Sequence, residues 1–189
     1  MSIIEERMAE HKAVLEKTFS VIPQIEQASK IMCDAVSQRK KIVFFGNGGS
    51  AADAQHLAAE LMGRFQKDRE PYPALALTVD TSVLTAIGND YGYDVVFARQ
   101  VRGIGNEGDV AIGFSTSGSS KNVVAALAVA KKMGMKVIGF TGENSGKMAP
   151  FCDVCISVPA TVTARIQEMH IMIGHILCEI VEQSLIENN

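Results

Sequence analysis

The sequence predicts a three-layer α/β domain, a parallel β-sheet with helices on both faces, entered through two additional N-terminal helices. Three observations carry this reading. Five short apolar runs, at 41–45, 74–78, 109–115, 136–141 and 153–158, alternate with helix-patterned segments. Most of these runs are continuously apolar, as strands buried on both faces are. No internal repeat and no Pro/Gly/Ser linker interrupts the 189 residues, so 1–189 reads as one domain with room for a sizeable core.

Each element has a local reason. Two amphipathic helices open the chain, at about 2–20 and 23–39, and Pro23 suits the first turn of the second. The run at 41–45 leads into Gly46-Asn47-Gly48-Gly49-Ser50, a turn whose glycines let backbone approach a ligand and whose following helix offers free N–H groups to an anion. The run at 109–115 leads into Ser115-Thr116-Ser117-Gly118-Ser119-Ser120-Lys121-Asn122 before another helix. Its five hydroxyls and free N–H groups would cradle a phosphate without a nucleotide, and it lacks the Gly-Lys-Ser/Thr ending of a P-loop. The last helix runs from residue 161 to about 187, with Thr161 or Thr163 as its cap. In parallel sheets ligands bind beyond the C-terminal strand ends, where both turns fall.

Composition narrows the function classes. Hydrophobic residues make up 47% and charged residues 21%, an ordinary globular balance. A net charge of −3 with mixed signs leaves no electrostatic footprint for nucleic acid. No apolar run reaches the length expected of a membrane span, and the charged start from Met1 to Arg7 lacks a signal peptide's apolar stretch, so the expected compartment is the cytosol. Cys152 and Cys155 invite a metal or redox reading. Three residues apart on a strand they would point to opposite faces, so Cys33, Cys152, Cys155 and Cys178 are expected as buried structural thiols.

Competing readings bear on the turns and the histidines. Gly46-x-Gly48-x-x-Ala51, with Asp80 ending the second run, approximates a dinucleotide turn, but Gly-x-Gly alone is weak and two helices precede the sheet. His56 and Glu60, four apart, share a helical face on a slim, Ala-rich helix. His175 sits inside an apolar stretch of the last helix, where a core histidine bonded to a backbone carbonyl is the ordinary explanation. Alternatively His56, Glu60 and His175, with Gln167, supply imidazole, carboxylate and amide oxygen for a divalent ion such as zinc. Gln167 and His175 lie ~12 Å apart along a helix and ~80° apart around it. One ion would bind both only with both side chains stretched, or with a second subunit supplying one.

Taken together, these segments make the chain resemble the phosphoheptose isomerase family of sugar-isomerase (SIS) domains along its whole length. The matching residues are Gly46 through His56, Glu60 with Arg64 and Phe65, Leu84 through Asp90, Ser115 through Asn122, and Ala164 through His170 with His175. The resemblance implies a five-stranded sheet of flavodoxin-like order and a homotetramer with active sites at subunit interfaces, residues 1–39 making oligomer contacts. It implies conversion of sedoheptulose 7-phosphate to D-glycero-D-manno-heptose 7-phosphate, the first step toward the heptose of bacterial surface glycans. By the same resemblance Glu60 is the base and His175 the acid, and one zinc ion is held by His56, Glu60, Gln167 and His175. Ser115, Thr116, Ser117 and Ser120 surround the phosphate. Asn47, Gly48, Gly49, Asn89, Asp90 and Gln167 hold hydroxyls, and Arg64 supports the site. One departure is Ala164, where some members carry an acid. A non-enzymatic relative that binds a replication initiator has serine and asparagine at the positions of Glu60 and His175, so this chain sides with the enzymes. Sugar-phosphate-sensing SIS modules usually accompany a DNA-binding domain, and these residues contain no such segment.

Overall fold

The computed structural model describes residues 1–186. The N-terminal pair comprises α1 (Ile3–Thr18) and α2 (Ile22–Ser37), joined by a 3-10 turn at Phe19–Val21. Ser2 and Glu5 form a reciprocal capping box at the start of α1, and Pro23 sits in the first turn of α2 as expected. The remaining order is β1 (Ile42–Phe45), α3 (Gly49–Met62), β2 (Ala74–Ala76), α4 (Thr81–Tyr91), α5 (Val96–Ile104), β3 (Val110–Ser115), α6 (Lys121–Lys132), β4 (Lys136–Thr141), β5 (Val154–Ser157) and α7 (Thr163–Ile186). Each strand falls inside its expected run, and the residue expected to end the last helix, Glu187, lies outside the described residues.

All strand pairs are parallel and the sheet order is β2-β1-β3-β4-β5, the flavodoxin-like order. Alternating side chains divide the core. Ile42, Phe44, Ile112, Phe114, Ile138, Phe140 and Ile156 face α2, α3 and α7, whereas Val43, Phe45, Ala111 and Val137 face α5 and α6. The parallel register aligns Ser115, Thr141 and Ser157 in one row at the C-terminal edge. Asp80, weighed above as a ribose-binding acid, instead caps α4 by accepting the Val83 N–H at 2.9 Å.

Two expectations are corrected. By length and apolar composition alone α7 passes for a membrane-crossing helix, a test that a buried core helix also meets. Here it packs against α2 and α3 and buries Ile166, Met169, Ile173, Leu177 and Val181. The cysteines also differ. Cys152 precedes β5 rather than lying on it, so its side chain is not subject to strand alternation. A Cβ built on Gly139 would lie 2.6 Å from the Cys152 sulfur and 3.5 Å from that of Cys155, so both thiols share one side of the sheet. Cys178 is buried, while Cys33, Cys152 and Cys155 are half-buried.

The core histidine of α7 is His170 rather than His175. It is fully buried, its Nε2 lies 3.0 Å from the Thr141 carbonyl oxygen, and burial lowers its pKa to about 4 despite that bond.

Candidate active site

Helices α3 and α7 cross where Gly174 meets Leu57. A Cβ on Gly174 would come within 2.5 Å of a Leu57 methyl carbon, so only glycine allows this approach. The crossing sets His175, next along α7, against His56, one residue before Leu57 on α3. Their Nε2 atoms are 2.9 Å apart, with rings edge-on at 5.0 Å between centroids. His56 Nε2 is also 3.0 Å from Glu60 Oε1, one turn further along α3. The Phe65 ring also packs on His175, at 5.8 Å between centroids.

This cluster fits a metal ion chemically. Two imidazole nitrogens and a carboxylate oxygen lie within 4.8 Å of one another, the one such group of three or more among the described residues. Ligands on a tetrahedral zinc with bonds of ~2.1 Å stand ~3.4 Å apart, so the cluster brackets the required spacing. Asp53, one turn before His56 on α3, adds a second indication of an absent polar group. Its Oδ2 is buried without a protein partner, and burial raises its pKa to about 6 although His56 opposes the shift. Sequence reasoning passed over Asp53 because an acid on an Ala-rich helix reads as solvated.

The two turns flank the same sheet edge. In the glycine turn the Gln167 amide lies over Gly49, its Nε2 and Oε1 2.7 and 2.9 Å from where a Cβ would stand. Any side chain at that position would displace Gln167. In the hydroxyl turn Ser115 Oγ lies 2.8 Å from Ser120 Oγ and 3.3 Å from Ser117 Oγ, and it accepts the Ser120 N–H. Gly118 takes φ +65° directly beneath the Asn144 carbonyl, where a Cβ would be 2.5 Å away. Asn47 and Asn122 exchange two amide hydrogen bonds, 2.9 and 2.8 Å, which staple one turn to the other. That pairing engages the Asn47 side chain, and Asn122 carried no individual signal in the sequence.

The other expected residues are placed less centrally. Arg64 is exposed in the segment after α3, and Thr116 is half-buried with its carbonyl accepting the Gly142 N–H. Asn89 donates to Asp90 at 2.8 Å on α4, an exposed helix with no buried residue that packs on α5.

A doubly wound parallel sheet carries a hydroxyl turn at its C-terminal edge and an imidazole–carboxylate cluster where α3 meets α7, and residues 8–142 match the SIS domain. A phosphoheptose isomerase from a Nitratiruptor species is 56% identical over 182 residues, spanning 96% of this chain and 97% of that protein. The chain belongs to the phosphoheptose isomerase family. Among solved structures, a phosphoheptose isomerase from Neisseria gonorrhoeae is 43% identical with a TM-score of 0.90, covering 95% of this chain and 97% of that one. One from Francisella tularensis is 35% identical with a TM-score of 0.89, covering 97% and 100%.

Proposed function

We propose that the chain isomerises sedoheptulose 7-phosphate to D-glycero-D-manno-heptose 7-phosphate, an aldose–ketose isomerisation that begins heptose supply for bacterial surface glycans. The observation that carries the reading is the Glu60 carboxylate 3.0 Å from His56, whose ring nitrogen meets that of His175 at 2.9 Å, in a fold whose hydroxyl turn gathers Ser115, Ser117 and Ser120. Family membership supports the same conclusion.

The chemistry assigns each group a task. Ser115, Thr116, Ser117 and Ser120 hold the phosphate remote from the reacting carbons, which orients C1 and C2. Asn47, Gly48, Gly49, Asn89, Asp90 and Gln167 hold hydroxyls, with Arg64 supporting the site. Glu60 takes the proton from C1 of the ketose, and that electron pair becomes the C1–C2 double bond while His175 protonates the C2 oxygen. Glu60 then returns its proton to C2, and His175 recovers one from the C1 hydroxyl, leaving the aldehyde. His56, Glu60, Gln167 and His175 are the residues that would hold zinc. A bound ion would polarise the carbonyl oxygen and so favour loss of the C1 proton.

The functional enzyme is a cytoplasmic homotetramer with sites at subunit interfaces, the 1–39 pair contributing to its contacts. Supporting this, Ile3, Ile4, Met8, Phe19, Ile22 and Ile176 expose apolar surface on α1, α2, α7 and the turn between the first two. Light scattering at micromolar concentration should report about four chain masses, and a mass near the single-chain 20.3 kDa would contradict it. The activity is tested by following a panel of ketose phosphates by NMR. Aldose should form fastest from the seven-carbon substrate, and no aldose from any of them would overturn the reading.

A further inference from the structure

Seven residues beyond His175 on the same face of α7, Glu182 carries a carboxylate that is 2% exposed. Four donors surround it. Phe65 N–H and Arg69 Nε meet Oε1 at 3.0 Å each, and Gln66 and Lys67 N–H meet Oε2 at 2.8 and 3.0 Å. Burial alone would raise this pKa, but the backbone N–H groups and the Arg69 charge outweigh it and hold the group below the usual range. Arg69, 5% exposed, extends the arrangement. Its Nη2 donates to the Glu60 carbonyl at 2.9 Å, and Nη1 donates to the carbonyls of Leu61, Gly63 and Glu70 at 2.9, 3.3 and 3.1 Å. The guanidinium also stacks on Tyr72, 3.9 Å from the ring centroid.

These bonds are spent on one short segment. The last-turn carbonyls of α3 lack helical partners, and Arg69 supplies donors to those of Glu60 and Leu61. The backbone of Phe65 is tied to α7 at Glu182, while its ring packs on His175 two turns earlier on the same helix. The segment from Glu60 to Arg69 is thus fastened to α7 at two points, one of them the imidazole of the reaction.

We infer that Glu182, acting with Arg69, is a positioning residue for the isomerisation: by anchoring the Phe65–Lys67 backbone it holds the Phe65 ring against His175. A buried carboxylate with three consecutive N–H groups and an arginine fork specifies one loop path, because no neutral side chain accepts four donors there. The inference rests on the assignment of His175 to the reaction.

The test measures kcat, KM and melting temperature of full-length Glu182→Gln, Phe65→Ala and the double variant, at a temperature where each is fully folded. A glutamine would turn an N–H group toward the Gln66 and Lys67 donors, releasing the segment. Expected is a ~10–100-fold fall in kcat with KM within ~3-fold of wild type, the loss a misplacement of about 1 Å causes. The double variant should fall no more than ~3-fold below the poorer single one, since both act through one contact. Wild-type kcat in a Glu182→Gln protein with a lowered melting temperature would overturn the inference, leaving the carboxylate a purely structural anchor. Multiplying losses in the double variant would overturn the route through Phe65. If Glu182→Gln does not fold, Arg69→Lys keeps the charge beside Glu182 but loses the fork, and the same outcomes decide. A wild-type rate in His175→Ala would instead sink the site assignment itself.

Discussion

Replacing Glu60 by Gln is expected to lower turnover at least ~100-fold, the lower end of what loss of an acid–base group removes. The substitution keeps the side chain's shape and an acceptor toward His56, now 3.0 Å away, while abolishing basicity at the atom that would receive the C1 proton. Ketose-phosphate affinity should change less than ~10-fold, because the proposed phosphate grip is the hydroxyl turn around Ser115 and Ser120 rather than α3. A loss confined to turnover marks a group used in the transition state. Turnover by NMR and affinity by calorimetry separate the outcomes. Near-normal turnover would remove Glu60 from the chemistry, and joint loss of affinity and metal would make it chiefly a ligand.

Metal removal is the second large effect. Elemental analysis of protein purified without chelator should find about one divalent ion per chain, and His56→Ala should lower that content to a small fraction. Exhaustive chelation should reduce turnover at least ~100-fold, or ~3 kcal/mol of transition-state stabilisation, and one equivalent of zinc should restore it. A carboxylate held tightly by zinc is a poor base, so the proposed ligand and base roles place two demands on Glu60. Chelated protein that keeps its rate, or wild type that carries no ion, would leave His56, Glu60 and His175 as an acid–base cluster alone.

Much of this architecture was legible in the chain because its signals are local. Continuous apolar runs mark strands covered on both faces, and each observed strand lies within one. The His56–Glu60 pairing follows from helical spacing, and the hydroxyl turn from composition at a strand end. What escaped depends on distant contacts. The meeting of His56 with His175 requires α3 and α7 to cross at Gly174, where Leu57 sits 117 residues earlier in the chain. Nothing near Glu182 announces that its carboxylate will collect the N–H groups of residues 65–67. Asp53 became noticeable only when packing buried it without a partner. Cys152 was misplaced because strand alternation was extended to it, although it lies before the expected run at 153–158 and the strand itself starts only at Val154. The apolar face of α7 has one local cause and two readings, bilayer or core, and only its packing against α2 and α3 separates them.

The central claim is that a side-chain base carries a proton between C1 and C2 of the bound ketose phosphate. Running the wild-type isomerisation of sedoheptulose 7-phosphate in D2O tests it most directly, with NMR reading the label. A Glu60 base would exchange its proton with solvent between abstraction and return, so deuterium should appear at C2 of the aldose and, through reversal, at C1 of recovered ketose. Full turnover with no deuterium at either carbon would mean that hydrogen moves directly between them, and the base assigned to Glu60 would have no proton to carry.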